Sequence, residues 1–161
     1  MTAAMNDRLA ALLASRAPSA TILIRAMVGL VFISEGIQKF LYPATVGAGR
    51  FAKIGIPAPE LMGPLVGSIE ILCGALVVIG LLTRLAAVPL IGVMIMAIVS
   101  TKLPILLGHS FWGFELRQLP EYGFWAMAHE ARTDFAMLLG AIFLVRVGAG
   151  PSSLDARIAR G

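Results

Sequence analysis

The chain has 161 residues, of which 58% are apolar and only 14% are charged, and its mean hydropathy is +0.89. A water-soluble domain of this length covers one apolar core with charge, so the composition excludes that class and predicts an integral membrane protein in contact with the lipid bilayer. The formal net charge of +4 does not predict a nucleic-acid partner, because the basic residues are scattered singly beside apolar runs, as topology signals are.

The first residues carry a short amphipathic pattern. Over about residues 6–16, Asn6 is a suitable cap for a helix whose leucines share one face while Arg8 and Arg16 reach water or headgroups. A helix at the membrane interface and a solvated tail are the two alternatives.

Four apolar stretches are long enough to cross a hydrocarbon core about 30 Å thick. They run over about residues 20–42, 60–82, 85–107 and 133–149, and the last has an alternative start near Gly123. The predicted fold is therefore all-α, an integral membrane four-helix bundle. Counting Lys and Arg gives seven on the side of the termini and six on the other side, which favours cytoplasmic termini.

The links between the spans differ in character. The first, about 43–59, is rich in glycine and proline and carries an amphipathic piece through Phe51 and Ile54. Only Thr83 and Arg84 separate the next two spans, which predicts a tight helical hairpin. The third link, about 108–132, is aromatic-rich, as segments at a membrane interface are.

Several titratable residues in or beside the spans lie toward the long links when depth is counted along each helix. The candidates for ligand binding or a proton path are Glu35, Lys39, Glu70, Lys102, His109 and Asp134. An unpaired charge inside a bilayer costs about 3 kcal/mol, so we expect pairing, and Glu35 and Lys39 have the spacing of a helical ion pair. Either these charges lock the bundle or they line a pocket. On the opposite side, we expect Arg25 and Arg146 to reach the headgroups.

Glycines recur at helical spacing in the first two spans. The candidates for helix packing are Gly29, Gly36, Gly63, Gly67 and Gly74. Small residues at such intervals let helix backbones approach closely in lipid, so Glu70, which shares the stripe of the second span, is expected to face another helix.

Several chemistries lack their residues. Cys73 is the only cysteine, so the chain cannot carry out a dithiol reaction alone. His109 and His129 both fall in the third link, where they cannot hold a haem between helices. A metal site is not predicted, because His129, Glu130 and Asp134 fit a solvated helix start better. No phosphate-binding glycine loop, dinucleotide fingerprint or nucleophile elbow is present, so no self-sufficient catalytic motif is found.

A set of motifs runs along most of the chain. It consists of Arg25, Gly36 and Lys39, then Gly55-Ile56-Pro57-Ala58-Pro59, then Glu70, Gly74, Gly80, Thr83 and Arg84, and finally the ending Gly148-Ala149-Gly150-Pro151-Ser152-Ser153-Leu154-Asp155. Together these motifs resemble the DoxX family of small four-helix membrane proteins. The resemblance implies a four-helix bundle and links some members to membrane redox systems, such as quinone-coupled sulfur oxidation or oxidative-stress complexes.

The leading hypothesis is a subunit of a redox system in the bacterial inner membrane. Glu35, Lys39 and Glu70 would shape a pocket for a quinone or another small apolar molecule. The aromatic link would cover the pocket, and a redox partner subunit would supply electrons.

Two alternatives belong to other classes of protein. A small transporter or permeation subunit is suggested by charges on several helices and by Pro89 and Pro104, and it would require a homo-oligomer or a partner. A non-catalytic scaffold or assembly factor would use the face of Gly63 and Gly67 as its contact.

Overall fold

The computed structural model describes residues 15 and 17–160 of the chain. Its helices are α1 (Thr21–Leu41), α2 (Ala48–Lys53), α3 (Pro59–Ile79), α4 (Thr83–Ala97), a π-helical segment (Ile98–Lys102), α5 (Leu103–Leu107), α6 (Phe124–Val147) and α7 (Leu154–Ile158). Within these residues there is no β-strand, only an isolated bridge between Phe111 and Phe114. The all-α prediction is confirmed, whereas the helix considered over residues 6–16 lies outside the described residues, apart from Ser15.

Three helical rods are long and apolar enough to cross a membrane. They are α1, α3 and the continuous rod Thr83–Leu107, which joins α4, the π-helical segment and α5. Their bounds agree to within about three residues with the first three spans predicted from the sequence. By length and composition, the described part of the chain thus has three helices able to cross a membrane, whereas the sequence predicted four.

The helix α6 is as long as the three rods but less apolar. It has 24 residues and begins at Phe124, close to the alternative start near Gly123 and nine residues before position 133. Its first half is interrupted by charged residues such as Glu130, Arg132 and Asp134, which is why the apolar run alone placed its start too late.

One apolar core joins these helices. Side chains with at most 1% exposure come from α1 (Val28, Phe32), α3 (Val77), α4 (Leu90) and α6 (Leu144). Because α6 supplies part of this core, it packs as an integral member of the helical assembly.

The helices α1 and α3 lie unusually close together. A Cβ atom on Gly36 would stand 2.7 Å from the carbonyl oxygen of Gly67, and one on Gly74 would stand 2.9 Å from that of Gly29. Gly63 in turn packs against the start of α2, where a Cβ atom would stand 2.7 Å from the amide nitrogen of Ala48. Glycine is required at these contacts because a larger residue would push the backbones apart.

The third rod contains the π-helical segment immediately before a proline. Pro104 has no amide hydrogen and its ring crowds the preceding turn, so an unbroken α-helix is strained at this point. A π-helical turn over Ile98–Lys102 absorbs that strain, and Thr101 donates a hydrogen bond of 2.6 Å to the carbonyl of Ala97. The widened turn carries Thr101 and Lys102 into the region described below.

The first and third links contact each other. The amide of Glu115 donates to the carbonyl of Ile54 at 3.1 Å, and Gly55 lies against the backbone of Gly113. The amide of Gly123 donates to the carbonyl of Ile105 at 3.0 Å. The aromatic-rich link is therefore held over α2 and the end of α5.

Candidate functional site

A buried ion pair joins α1 to α3. The Nζ atom of Lys39 lies 2.6 Å from Oε2 of Glu70, and the two side chains are only 9% and 3% exposed. The close approach at Gly36 and Gly67 brings the two helices near enough for this contact. Glu70 thus faces another helix.

Glu35 takes no part in this ion pair. It is exposed on the outer face of α1, and among the described residues no cation lies within ion-pair distance of it. The four-residue spacing predicted that Lys39 would pair with Glu35 on its own helix. Lys39 pairs instead with Glu70 on α3. Beside Glu35, the Gln38 amide donates to the Ser34 hydroxyl at 3.2 Å.

A second ion pair joins the third rod to α6. The Nζ atom of Lys102 lies 3.2 Å from Oδ2 of Asp134, with side chains 9% and 20% exposed. Counted from the α3–α4 turn, Lys102 lies about ten residues farther along its helix than Glu70 does, or about 15 Å. The two pairs are therefore separate and lie at different depths in the assembly.

His109 belongs to neither pair. It is exposed at the start of the third link, where its Nδ1 atom lies 2.9 Å from the carbonyl oxygen of Ser110. The six candidate residues thus form two separate ion pairs, one exposed carboxylate and one exposed imidazole, in place of a single convergent cluster. In the part of the chain that the structure describes, no group of three His, Cys, Asp or Glu side chains has an arrangement suited to a metal ion.

At the opposite end, Arg25 is buried, and the expectation that it extends into the headgroups is wrong. It is 2% exposed. Its guanidinium donates to the carbonyls of Val77 at 3.0 Å, Val78 at 2.6 Å, Ala149 at 3.1 Å and Ser152 at 2.7 Å. Arg25 therefore binds the last carbonyls of α3 to the segment after α6.

Asp155 completes this cluster. Its carboxylate accepts hydrogen bonds from the amides of Leu82 at 2.7 Å and Thr83 at 3.0 Å, at the start of α4. Its own amide donates to the carbonyl of Gly80 at 2.8 Å. Asp155 thus supplies from 72 residues away the cap that α4 lacks locally. We call Arg25, Asp155 and the segment 148–155 the C-terminal clasp.

Sequence reasoning did not find the C-terminal clasp as a structural unit. The available signal was the set of motifs, since Arg25, Gly80, Thr83 and Asp155 all belong to it and meet here. Four other members of the set, Gly36, Lys39, Glu70 and Gly74, meet at the α1–α3 contact.

Two cavities lie near the candidate residues. The first, about 550 Å³, is an open groove along the outer face of α1 and is lined by Leu30, Ile33, Ser34, Ile37, Gln38, Leu41 and Tyr42. The second, about 440 Å³, lies among α2, the π-helical segment and the third link, and Lys102 is part of its wall. Neither cavity is lined by Lys39 or Glu70, so the ion pair between them is closed.

The comparisons with known proteins fit this arrangement. The DoxX family model matches residues 20–103, just over half of the chain, from α1 to the start of α5. The chain belongs to the DoxX family. The resemblance drawn from its motifs is thereby confirmed, and this DoxX-family chain is a membrane protein.

Two relatives extend beyond the matched range. The chain is 54% identical over 149 residues to "Uncharacterized membrane protein Rv3486" of Mycobacterium tuberculosis, covering 92% of this chain and 87% of the relative. It is 29% identical over 142 residues to "Putative oxidoreductase CatD" of Bacillus subtilis, covering 88% of each. No solved structure matches the chain significantly.

Proposed function

We propose that this DoxX-family protein is a membrane subunit of a redox system in a bacterial inner membrane, that it crosses the bilayer four times, and that it binds a quinone in the groove along α1. The similarity to a protein named as an oxidoreductase supports the redox assignment. Electrons would come from a partner subunit, since the sequence contains no redox cofactor motif.

The fourth crossing is supported by contacts between the two ends of the described chain. The hydroxyl of Ser15 donates to the carbonyl of Val147 at 3.0 Å and accepts from the amide of Gly150 at 2.9 Å. The chain thus enters α1 and leaves α6 at the same end of the bundle, which supports an even number of passes. Three rods are apolar enough to cross, so α6 supplies the fourth pass, with Asp134 neutralised by Lys102. Both termini then share one side, for which the count of basic residues favours the cytoplasm.

The groove along α1 has the chemistry that a quinone requires. A quinone carries an apolar tail that stays in lipid and two ring carbonyls that accept hydrogen bonds. The groove lies on an outer helix face and offers apolar walls together with the donors Ser34, Gln38 and Tyr42. The buried pair of Lys39 and Glu70 does not fit this role, because the Glu70 side chain is 3% exposed and opens to neither cavity.

The observation that carries the proposal is the exposed carboxylate of Glu35. It follows Ser34 and lies one turn before Gln38, about 10 Å from the end of α1, beside the lining stripe of the groove and not within it. An isolated charge at that depth costs about 3 kcal/mol, so its presence on an outer face indicates a bound group or partner. A bound quinone supplies a two-electron carrier whose reduction consumes protons, and Glu35 would hold a proton at its carboxylate on the same helix as the groove.

Copurification tests this proposal. The protein is extracted with its surrounding lipid, and bound quinone is counted by mass spectrometry in wild type, Ser34→Leu and Glu35→Gln. Ser34→Leu fills the groove and is expected to remove most of the quinone. Ser68→Leu is the matched control, because Ser68 is exposed on α3 at nearly the depth of Ser34, next to Gly67, which contacts Gly36. A quinone content that is equal in Ser34→Leu and Ser68→Leu would overturn the proposal.

The same observation favours a second candidate, a scaffold subunit whose contact is the Glu35 face. Gly63 and Gly67, the glycines considered for that contact, pack against α2 and α1 of the same chain and are buried there, whereas Glu35 is exposed. In a Cys73→Ser background, Glu35→Cys would form a disulfide-linked dimer in native membranes, and Ser68→Cys would not. Crosslinking without bound quinone would support the scaffold over the redox site. The transporter alternative stays a prediction without a supporting contact in the described residues.

A further inference from the structure

The cavity of about 440 Å³ among α2, the π-helical segment and the third link has a basic wall. Its charged lining residues are Arg50, Lys53, Lys102, Arg117 and Glu115. Its size lies within the usual range of about 300–1,000 Å³ for small-molecule sites. Four cations and one carboxylate therefore surround a space large enough for a small charged group.

Only part of this positive charge is neutralised by the protein. Lys102 pairs with Asp134 at 3.2 Å, and Arg117 pairs with Glu130 at 3.1 Å. Arg50 and Lys53 have no carboxylate within ion-pair distance among residues 15 and 17–160. The excess positive charge comes from α2.

The position of α2 is fixed by its apolar side. Ala48 and Phe51 are buried, and the helix start packs against Gly63 of α3. Arg50 and Lys53 are three residues apart and thus share a face, and both line the cavity. The backbone bond between Glu115 and Ile54 holds the opposite wall in place. The two cations are therefore presented by a packed helix and not by a loose loop.

The remaining wall is apolar. Ile54, Ile105 and Leu116 line the same cavity as the cations. A purely ionic ligand would gain nothing from these side chains, whereas an amphiphile with a charged head would use both parts of the wall. The cavity lies near the end of the third rod, where headgroups of a bilayer are found.

We propose that this cavity binds an anionic phosphate group, held by Arg50 and Lys53 and approached by Lys102 and Arg117. Guanidinium and ammonium groups are the usual partners of phosphate, with arginine forming paired hydrogen bonds. The phosphate is that of an anionic lipid headgroup or of a soluble phosphate ester. A headgroup that also carries a choline cation is disfavoured, because the wall would repel it. The site is separate from the α1 groove, and its test does not depend on quinone.

The lipid source is tested in nanodiscs of phosphatidylcholine containing a minor fraction of phosphatidylglycerol. Native mass spectrometry counts the lipids that stay on the full chain after release. Wild type is expected to retain one phosphatidylglycerol in preference to phosphatidylcholine. Arg50→Gln with Lys53→Gln should lower that occupancy about tenfold, as expected when a charge-assisted contact is lost.

The control removes the same charge elsewhere. Arg157→Gln with Arg160→Gln deletes two exposed arginines that are also three residues apart, in and beside α7. This variant is expected to retain phosphatidylglycerol as wild type does. Low reactivity of the buried Cys73 thiol shows that a variant is folded. If Arg50→Gln with Lys53→Gln is not folded, Lys53→Gln alone takes its place.

The soluble source is tested by titrating glycerol 3-phosphate into wild type in nanodiscs of phosphatidylcholine alone. The site is assigned to a soluble phosphate ester if wild type binds glycerol 3-phosphate saturably and shows no preference for phosphatidylglycerol. This binding must be lost in the α2 variant, Arg50→Gln with Lys53→Gln. Preference for phosphatidylglycerol assigns it to lipid. The proposal is overturned if wild type neither prefers phosphatidylglycerol nor binds glycerol 3-phosphate. It is also overturned if binding falls equally in the α2 variant and in the Arg157/Arg160 control.

Discussion

Replacing Arg25 by methionine removes the centre of the C-terminal clasp. Its guanidinium donates four hydrogen bonds of 2.6–3.1 Å to main-chain carbonyls at the end of α3 and after α6. Hydrogen bonds to charged groups contribute about 1.5–3 kcal/mol each in soluble proteins, but those between membrane helices average about 0.6 kcal/mol. For four bonds that share one side chain, we expect a loss of about 4 kcal/mol in the free energy of unfolding.

Cys73 provides the assay. It is the only cysteine in the sequence and is 9% exposed in the core, so a maleimide that fluoresces on reaction reports when the helices separate. At about 2–4 °C per kcal/mol for a chain of this length, Arg25→Met should lower the midpoint of thermal labelling by about 10 °C.

Arg146→Met is the matched control for this experiment. Arg146 is exposed near the end of α6, at the same end of the bundle as Arg25. Its replacement should move the midpoint by less than about 2 °C, as surface substitutions usually do. Equal midpoints for the two variants would refute the assignment of Arg25 as a stabilising contact.

Three further predictions use the same labelling assay. Gly36→Ala places a methyl group 2.7 Å from a carbonyl oxygen of α3 and should lower the midpoint clearly, whereas Gly92→Ala meets nothing within 4 Å and should leave it unchanged or raise it. Lys102→Asp should destabilise the chain by about 3 kcal/mol, and adding Asp134→Lys should restore much of that loss; no restoration would mean that the ion pair does not matter. Asp155→Ala removes the cap of α4 and should cost about 1–2 kcal/mol, and an unchanged midpoint would contradict that role.

The spans were predictable because the bilayer limits them. A length of about 20 apolar residues is a property of local composition, so α1, α3 and the third rod were found with nearly correct ends. The start of α6 was placed late because its first turns carry Glu130 and Asp134, and apolarity alone does not detect a helix that is stabilised by packing and by an ion pair with Lys102.

The partners of the charged residues were harder to predict because they depend on distant segments. Local spacing suggested that Glu35 would pair with Lys39, but the close approach of α1 and α3 makes Glu70 the nearer carboxylate. Arg25 is near a helix end, where an arginine commonly reaches water. Its actual acceptors are carbonyls of residues 52 to 127 positions away, which no local pattern reveals.

The C-terminal clasp also sets an order on biogenesis. The turn between α3 and α4 is translated about 70 residues before Asp155. Until the segment 148–155 has emerged, the amides of Leu82 and Thr83 and the carbonyl of Gly80 in this turn lack their hydrogen bonds to Asp155. A nascent chain that has already inserted its first three rods thus still has an unfinished corner. The segment 148–155 thus completes a hairpin made about 70 residues earlier, so a membrane protease would distinguish a chain stalled before this segment from one that carries it.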